Sequence, residues 1–154
     1  MRTRGFTLVE ILIVVVILGI LAAIVIPQFT DASTEAKESS LMSDLQTVRS
    51  QIQLYKIQHN DNFPGIANGT HTASAGFEAS LTAETDIYGV AAAAGTGFGP
   101  YIQQFPTNGF NNDKTILEAG TTPGAATDAT GWFYNNTTGE FRANDTYDAN
   151  HWSL

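Results

Sequence analysis

A single acid, Glu10, lies inside an apolar segment that extends from Phe6 to Ile26. A charged side chain at the centre of a membrane helix costs roughly 2.5–3.5 kcal/mol on insertion scales, so this position needs a physical reason. The carboxylate could reach the lipid headgroups, or it could pair with a cation. No Lys or Arg lies nearby on the membrane side of the chain. The candidate cation is therefore a new α-amino group, protonated below about pH 7.7–8, which cleavage after Gly5 would create on Phe6.

The apolar segment has the length of a membrane span. Its 21 residues would form a helix of roughly 31 Å, close to the thickness of a bilayer core. A cleaved secretory signal would have a shorter apolar core and a small-x-small site after it, and no such site follows Ile26. Arg2 and Arg4 precede the segment, whereas the flank from Asp31 to Glu38 is mostly acidic. The positive-inside rule then predicts a single-pass protein with its N terminus in the cytoplasm.

The segment Gly5–Glu10 (Gly-Phe-Thr-Leu-Val-Glu) resembles the prepilin cleavage and methylation motif of type IV pilins and type II secretion pseudopilins. The basic leader before it, the apolar stretch after it and Pro27 also match. The resemblance implies that a prepilin peptidase/methyltransferase cuts the Gly5–Phe6 bond at the bacterial inner membrane and methylates the Phe6 amine. It also implies a homo-oligomeric filament, in which Glu10 neutralises the Phe6 amine of a neighbouring subunit.

The resemblance implies a structural protein whose partners are an inner-membrane assembly platform and minor pseudopilins. The first hypothesis is a subunit of a type II secretion pseudopilus, which assembles after cleavage and N-methylation and drives protein export. The alternatives are a major or minor type IV pilin of a surface fibre and a monomeric, membrane-anchored binding protein. We predict a cleaved leader (residues 1–5), a transmembrane and filament-core helix (6–26) and a periplasmic pilin-like domain (27–154).

One long helix, about residues 6–59, should combine a membrane half with an amphipathic half. Pro27 is expected to kink or loosen it, after which the helix resumes. Apolar residues then recur with helical spacing, and Ala32 and Ala36 extend this stripe backwards. Packing on a sheet of the same domain is the simplest role, with a dimeric coiled coil as the alternative. The stripe consists of Leu41, Leu45, Val48, Ile52 and Tyr55.

The C-terminal part predicts a small antiparallel sheet. Residues 114–118 are a strand candidate, and residues 131–135 and 140–144 flank the turn formers at 136–139 as in a β-hairpin. Either Trp132 with Tyr134, or Phe133 with Phe141, would face the helix. The predicted fold class is therefore α+β and pilin-like: a long N-terminal helix packed on a small C-terminal antiparallel sheet.

The middle of the chain carries weaker signals. Residues 65–100 are rich in Gly, Ala, Ser and Thr. This composition predicts a connecting segment of moderate order between helix and sheet, with a short helix somewhere within 78–94. Residues 99–111 resemble a segment of the major pseudopilins of type II secretion. This proline-bounded loop should bury Tyr101, Phe105 and Phe110 against the helix.

Oxygen-bearing side chains cluster near the C terminus. Calcium takes carboxylate, amide and backbone oxygens, and Asp145, Asp148 and Asn150 offer these within six residues. The alternative is a polar tail. The resemblance implies a calcium site in the C-terminal loop, with Asp145 and Asp148 as candidate ligands that fix the loop to the sheet. No other cofactor is indicated.

Composition argues against two other classes of function. Lys and Arg total 7 against 15 Asp and Glu, and removal of Arg2 and Arg4 leaves 5 basic groups and a formal charge of −10. This balance disfavours nucleic acid as a ligand. The chain has no Cys nucleophile, its three His residues lack zinc spacing, and no phosphate-cradling glycine motif is present. We therefore expect a protein that is not an enzyme.

Overall fold

The computed structural model describes residues 5–67, 69–71 and 76–154, so Arg2 and Arg4 of the predicted leader lie outside the described residues. Helix α1, Leu8–Gln58, confirms the predicted long N-terminal helix, and it continues through Pro27. Asn60 and Asp61 adopt positive φ angles of 51° and 62°, which ends the helix at the predicted turn formers. The α+β, pilin-like fold class is confirmed.

Contacts divide the chain into two units, residues 1–38 and 39–154. Every described residue of the first unit is exposed except the half-buried Thr34. Ala32 and Ala36, which continue the spacing of the apolar stripe, both lie in this exposed unit. The division into leader, filament-core helix and periplasmic domain remains a prediction.

The second unit contains a continuous hydrophobic core. All five residues of the predicted stripe, Leu41 to Tyr55, are buried there at 2% exposure or less. They pack with side chains of the C-terminal sheet, so the prediction of helix-on-sheet packing is confirmed. The other core residues are Phe77, Leu81, Phe105, Trp132, Tyr134, Phe141 and Ala143.

The sheet is mixed, which corrects the predicted all-antiparallel arrangement. Its strands are β3 (Ile116–Ala119), β4 (Trp132–Asn135) and β5 (Phe141–Ala143), in the order β3-β4-β5. The hairpin between β4 and β5 is antiparallel, as predicted, but β3 pairs with β4 in parallel. Parallel neighbours need a connection of about a dozen residues or more, and residues 120–131 provide it.

The hairpin register decides between the two alternatives for the buried face. Tyr134 lies opposite Phe141, and Trp132 lies opposite Ala143, so these four side chains share the core face. Phe133 points to the other face, where the Trp152 ring covers it at a centroid distance of 5.3 Å. Trp132 with Tyr134 is the correct alternative, and Phe133 with Phe141 is wrong.

The described part of residues 65–100 contains two short strands and a helix. Short strands β1 (Ile66–Ala67) and β2 (Thr70–His71) pair antiparallel, and helix α2 spans Phe77–Thr82. Phe77 stacks on Tyr134 at 3.7 Å, which places this helix in the core. The short helix predicted within residues 78–94 is therefore confirmed over residues 78–82, and it begins one residue earlier, at Phe77.

The loop at residues 99–111 behaves partly as predicted. Phe105 is buried, and Tyr101 is half-buried with its hydroxyl donating to the Gln58 side chain at 2.5 Å. Phe110 is partly buried against the core, and its ring also lies at tilted angles to those of Tyr147 (4.7 Å) and His151 (4.4 Å) in the C-terminal segment. The loop thus joins the helix to the end of the chain.

Candidate functional site

The first candidate site surrounds the start of helix α1. Gly5 and Phe6 precede the helix, the Phe6 side chain is 82% exposed, and a Cβ added at Gly5 would meet no atom within 4 Å. The Gly5–Phe6 bond therefore lies in non-helical, open backbone. These are the conditions that a peptidase needs to reach a peptide bond.

Thr7 and Glu10 form a reciprocal capping box. The Glu10 carboxylate accepts hydrogen bonds from the Thr7 backbone N–H and the Thr7 hydroxyl, both at 2.8 Å, and the Glu10 N–H donates to the Thr7 hydroxyl oxygen at 3.2 Å. Each satisfies a donor that the first turn would otherwise leave without an intrahelical partner. The sequence signal for a capping box is Thr-x-x-Glu before an apolar run, and Thr7 and Glu10 have this spacing.

The capping box gives Glu10 a role within its own chain. In the single chain the Glu10 carboxylate is exposed. The hydrogen bonds that the described residues donate to it come from Thr7. The predicted partner, a Phe6 amine of a neighbouring subunit, belongs to a second copy. The predicted roles of Gly5, Phe6 and Glu10 in processing and assembly therefore stay predictions.

The surface of α1 from Ile11 to Ile26 is apolar on all sides. Within the described residues, α1 is the one helix long and apolar enough to cross a membrane. Its large side chains from Ile11 to Ile26 are between 43% and 63% exposed. Side chains of this kind are stable only where lipid or another protein surface covers them.

The second candidate site is the C-terminal loop, where calcium was predicted. Asp145 is buried. Its Oδ2 accepts a hydrogen bond from Asn108 Nδ2 at 2.8 Å, and its Oδ1 lies 2.7 Å from His151 Nδ1. Asp148 is partly buried, and its Oδ1 accepts the Asn150 N–H at 2.8 Å. In the described part of the chain, no group of three or more His, Asp or Glu side chains could hold a metal ion.

A cavity of about 250 Å³ adjoins Asp145 but does not supply the missing ligands. Asp145 is the only acid that lines it, and Asp148 does not line it. The remaining lining residues are Gly124, Ala125, Ala126, Thr146, Ala149 and Trp152. Because calcium takes six to eight oxygen ligands, Asp145 and Asp148 as placed here do not fit the ion.

The other described histidine side chain, His59, has a structural environment. Its ring stacks on Tyr55 at 3.7 Å, and its two nitrogens lie 2.8 Å from the Tyr55 carbonyl and 2.9 Å from the Thr85 hydroxyl. Burial lowers the pKa of His59, which favours the neutral ring. This residue ties the end of α1 to the loop that follows α2.

Comparison with known proteins supports the interpretation of the N terminus. The family described as "Prokaryotic N-terminal methylation motif" matches residues 1–26. Type II secretion system core protein G of Klebsiella pneumoniae is 31% identical over 119 residues, which cover 77% of each chain. The protein of the same name from Escherichia coli K12 is 29% identical over 119 residues, 77% of this chain and 74% of that one.

A third relative of that name, from Dickeya chrysanthemi, is 40% identical over 68 residues, or 44% of each chain. None of these three names describes an enzyme. No solved structure matches the chain significantly. The exposed apolar helix, its methylation motif and the extent of the match to these relatives together show that the chain belongs to the type II secretion system core protein G family of pseudopilins.

Proposed function

We propose that this chain is a structural subunit of a type II secretion pseudopilus, in which residues 6–26 form the interior of a helical filament. The observation that carries the proposal is the exposure of the first unit. Its large apolar side chains from Ile11 to Ile26 have no cover from the described residues, and leaving one such side chain in water costs roughly 1.5–3 kcal/mol. Lipid covers them before assembly, and the helices of neighbouring subunits cover them afterwards.

Processing creates the charge that assembly uses. A prepilin peptidase hydrolyses the Gly5–Phe6 bond on the cytoplasmic face, which removes Arg2 and Arg4 and leaves a new amine on Phe6. N-methylation of this amine keeps its positive charge. The non-helical, open backbone at this bond supports the proposal, since α1 begins only at Leu8.

Glu10 then has two successive partners. In the single subunit its carboxylate caps α1 through Thr7. In the filament it neutralises the methylated Phe6 amine of a neighbouring subunit, which removes the cost of an unpaired charge in an apolar interior. The pairing also selects the axial register between subunits, because only one offset brings the two groups together.

The remaining steps place the subunit in the cell. The first unit sits in the bacterial inner membrane with its N terminus in the cytoplasm, and the second unit lies in the periplasm. An inner-membrane platform and minor pseudopilins start and extend the filament, whose growth pushes folded proteins outward. The relatives' shared name favours this function over a type IV pilin of a surface fibre.

Two substitutions at Glu10 separate charge pairing from helix capping. Glu10→Gln keeps a side chain that can complete a capping box but removes the charge, whereas Glu10→Val removes both. We expect both variants to insert into the membrane and both to lose filament formation on overexpression, measured by electron microscopy of sheared filaments. Normal filaments from Glu10→Gln would overturn the charge-pairing role and leave helix capping as the function of Glu10.

A further inference from the structure

We propose that Asn108, Asp145 and His151 form a metal-free lock that fixes the C-terminal segment, residues 144–154, to the rest of the second unit. The lock does the task that a calcium ion was predicted to do. It concerns the folding of a single chain, so it can fail while the proposed pseudopilus function holds, and the reverse is also true.

Asp145 is the centre of the lock. Its side chain is 1% exposed, and a buried carboxylate is tolerated only where donors meet it. One oxygen lies 2.7 Å from His151 Nδ1, and the other accepts from Asn108 Nδ2 at 2.8 Å. Each carboxylate oxygen of Asp145 therefore already has a nitrogen within hydrogen-bond distance.

Asn108 fixes the lock to two further segments. Its Nδ2 also donates to the Gly131 carbonyl at 3.0 Å, and its Oδ1 accepts the Phe110 N–H at 3.0 Å. Both amide hydrogens and the carbonyl oxygen are therefore used, which determines the orientation of the amide. One fully buried side chain thus joins the loop at 108–113, the start of β4 and Asp145.

The neighbouring residues reinforce the same connection. Asn144 is fully buried, accepts the Thr127 N–H at 2.8 Å and donates to the Thr130 hydroxyl at 2.8 Å. On the other side of Asp145, the His151 ring is 3% exposed and packs on Phe110 at 4.4 Å. These side-chain contacts hold the C-terminal segment on both sides of Asp145, together with the Asn144 backbone N–H, which donates to the Gly131 carbonyl at 3.0 Å.

The experiment uses the full chain in detergent micelles and follows thermal unfolding by tryptophan fluorescence, with excess EGTA or with added calcium. Asp145→Asn has the size of the natural side chain but replaces one acceptor by a donor. If that donor faces Asn108 Nδ2, one buried N–H loses its partner; if it faces His151 Nδ1, the ring must carry its proton on Nε2, and the carboxylate charge is lost in either case. Asp148→Asn is the matched control, because its remaining carbonyl oxygen can still accept the Asn150 N–H.

We expect EGTA to leave the midpoint of the wild-type chain unchanged. Asp145→Asn should lower the midpoint by about 5–10 °C in both buffers, and Asp148→Asn by less than about 2 °C. If Asp145→Asn does not fold, His151→Gln serves as the second variant and should lower the midpoint, again with no dependence on calcium. A wild-type midpoint that falls with EGTA and recovers with calcium would overturn the lock, as would equal losses from Asp145→Asn and Asp148→Asn.

Discussion

The two units of this chain bury their apolar side chains in different ways. In residues 39–154 the stripe from Leu41 to Tyr55 is covered by the sheet and by helix α2. From Ile11 to Ile26 the same helix α1 presents apolar side chains on every side, and the described residues supply no cover for them. The second unit is therefore stabilised by its own sequence, whereas the first depends on lipid or on other subunits.

The largest expected difference between the two units comes from the same isoleucine-to-alanine substitution at two positions of α1. Ile52 is 1% exposed in the second unit, and Ile17 is 51% exposed in the first. Ile52→Ala should lower the free energy of unfolding of the second unit by about 2–5 kcal/mol, because it leaves a cavity in the core. Ile17→Ala should change it by less than about 0.5 kcal/mol. Thermal unfolding in micelles measures both, and equal losses would contradict the division into two units.

A glycine-to-alanine substitution in each unit tests the same difference, with a smaller expected effect on stability. Gly139 ends the hairpin turn with φ +74°, and a Cβ there would lie 2.2 Å from the Phe63 ring. Gly139→Ala should destabilise the second unit by about 1–3 kcal/mol, because a left-handed backbone is strained for alanine and the ring must move. Gly19→Ala meets no atom within 4 Å and should leave that unfolding transition unchanged. The same thermal assay tests both, and an unaffected Gly139→Ala would show that the turn does not limit stability.

Much of the second unit follows from local sequence pattern. The helical spacing of Leu41, Leu45 and Val48 predicts the buried face of α1, and turn residues at 136–139 predict the hairpin. The parallel pairing of β3 with β4 does not follow, because residues 120–131 carry no helical or strand signal that would indicate a crossover. The sequence of β4 does not show which of its faces meets the helix, because every residue of β4 is buried and Trp152, distant in sequence, covers Phe133 on the opposite face.

The two candidate sites also differ in how far local sequence predicts them. The Gly5–Glu10 motif is contiguous, so the sequence predicts the processing site directly, and the Thr7 capping box could also have been found there. The C-terminal lock needs Asn108, which lies 37 residues from Asp145 in the sequence. Asp145 and Asp148 are three residues apart in the chain, so the sequence pattern predicts a calcium site. The structure adds the remote Asn108, whose side chain donates to the Asp145 carboxylate.

The proposed assembly of the first unit depends on a new amine at Phe6. The most direct test is the intact mass of the protein purified from the bacterial membrane. We predict a mass that corresponds to residues 6–154 with one added methyl group. A tryptic digest should also contain a peptide that begins with methylated Phe6, although trypsin does not cut after Gly5. A mass of the full 154-residue chain would contradict the processing step, and with it the pairing of Glu10 with the Phe6 amine.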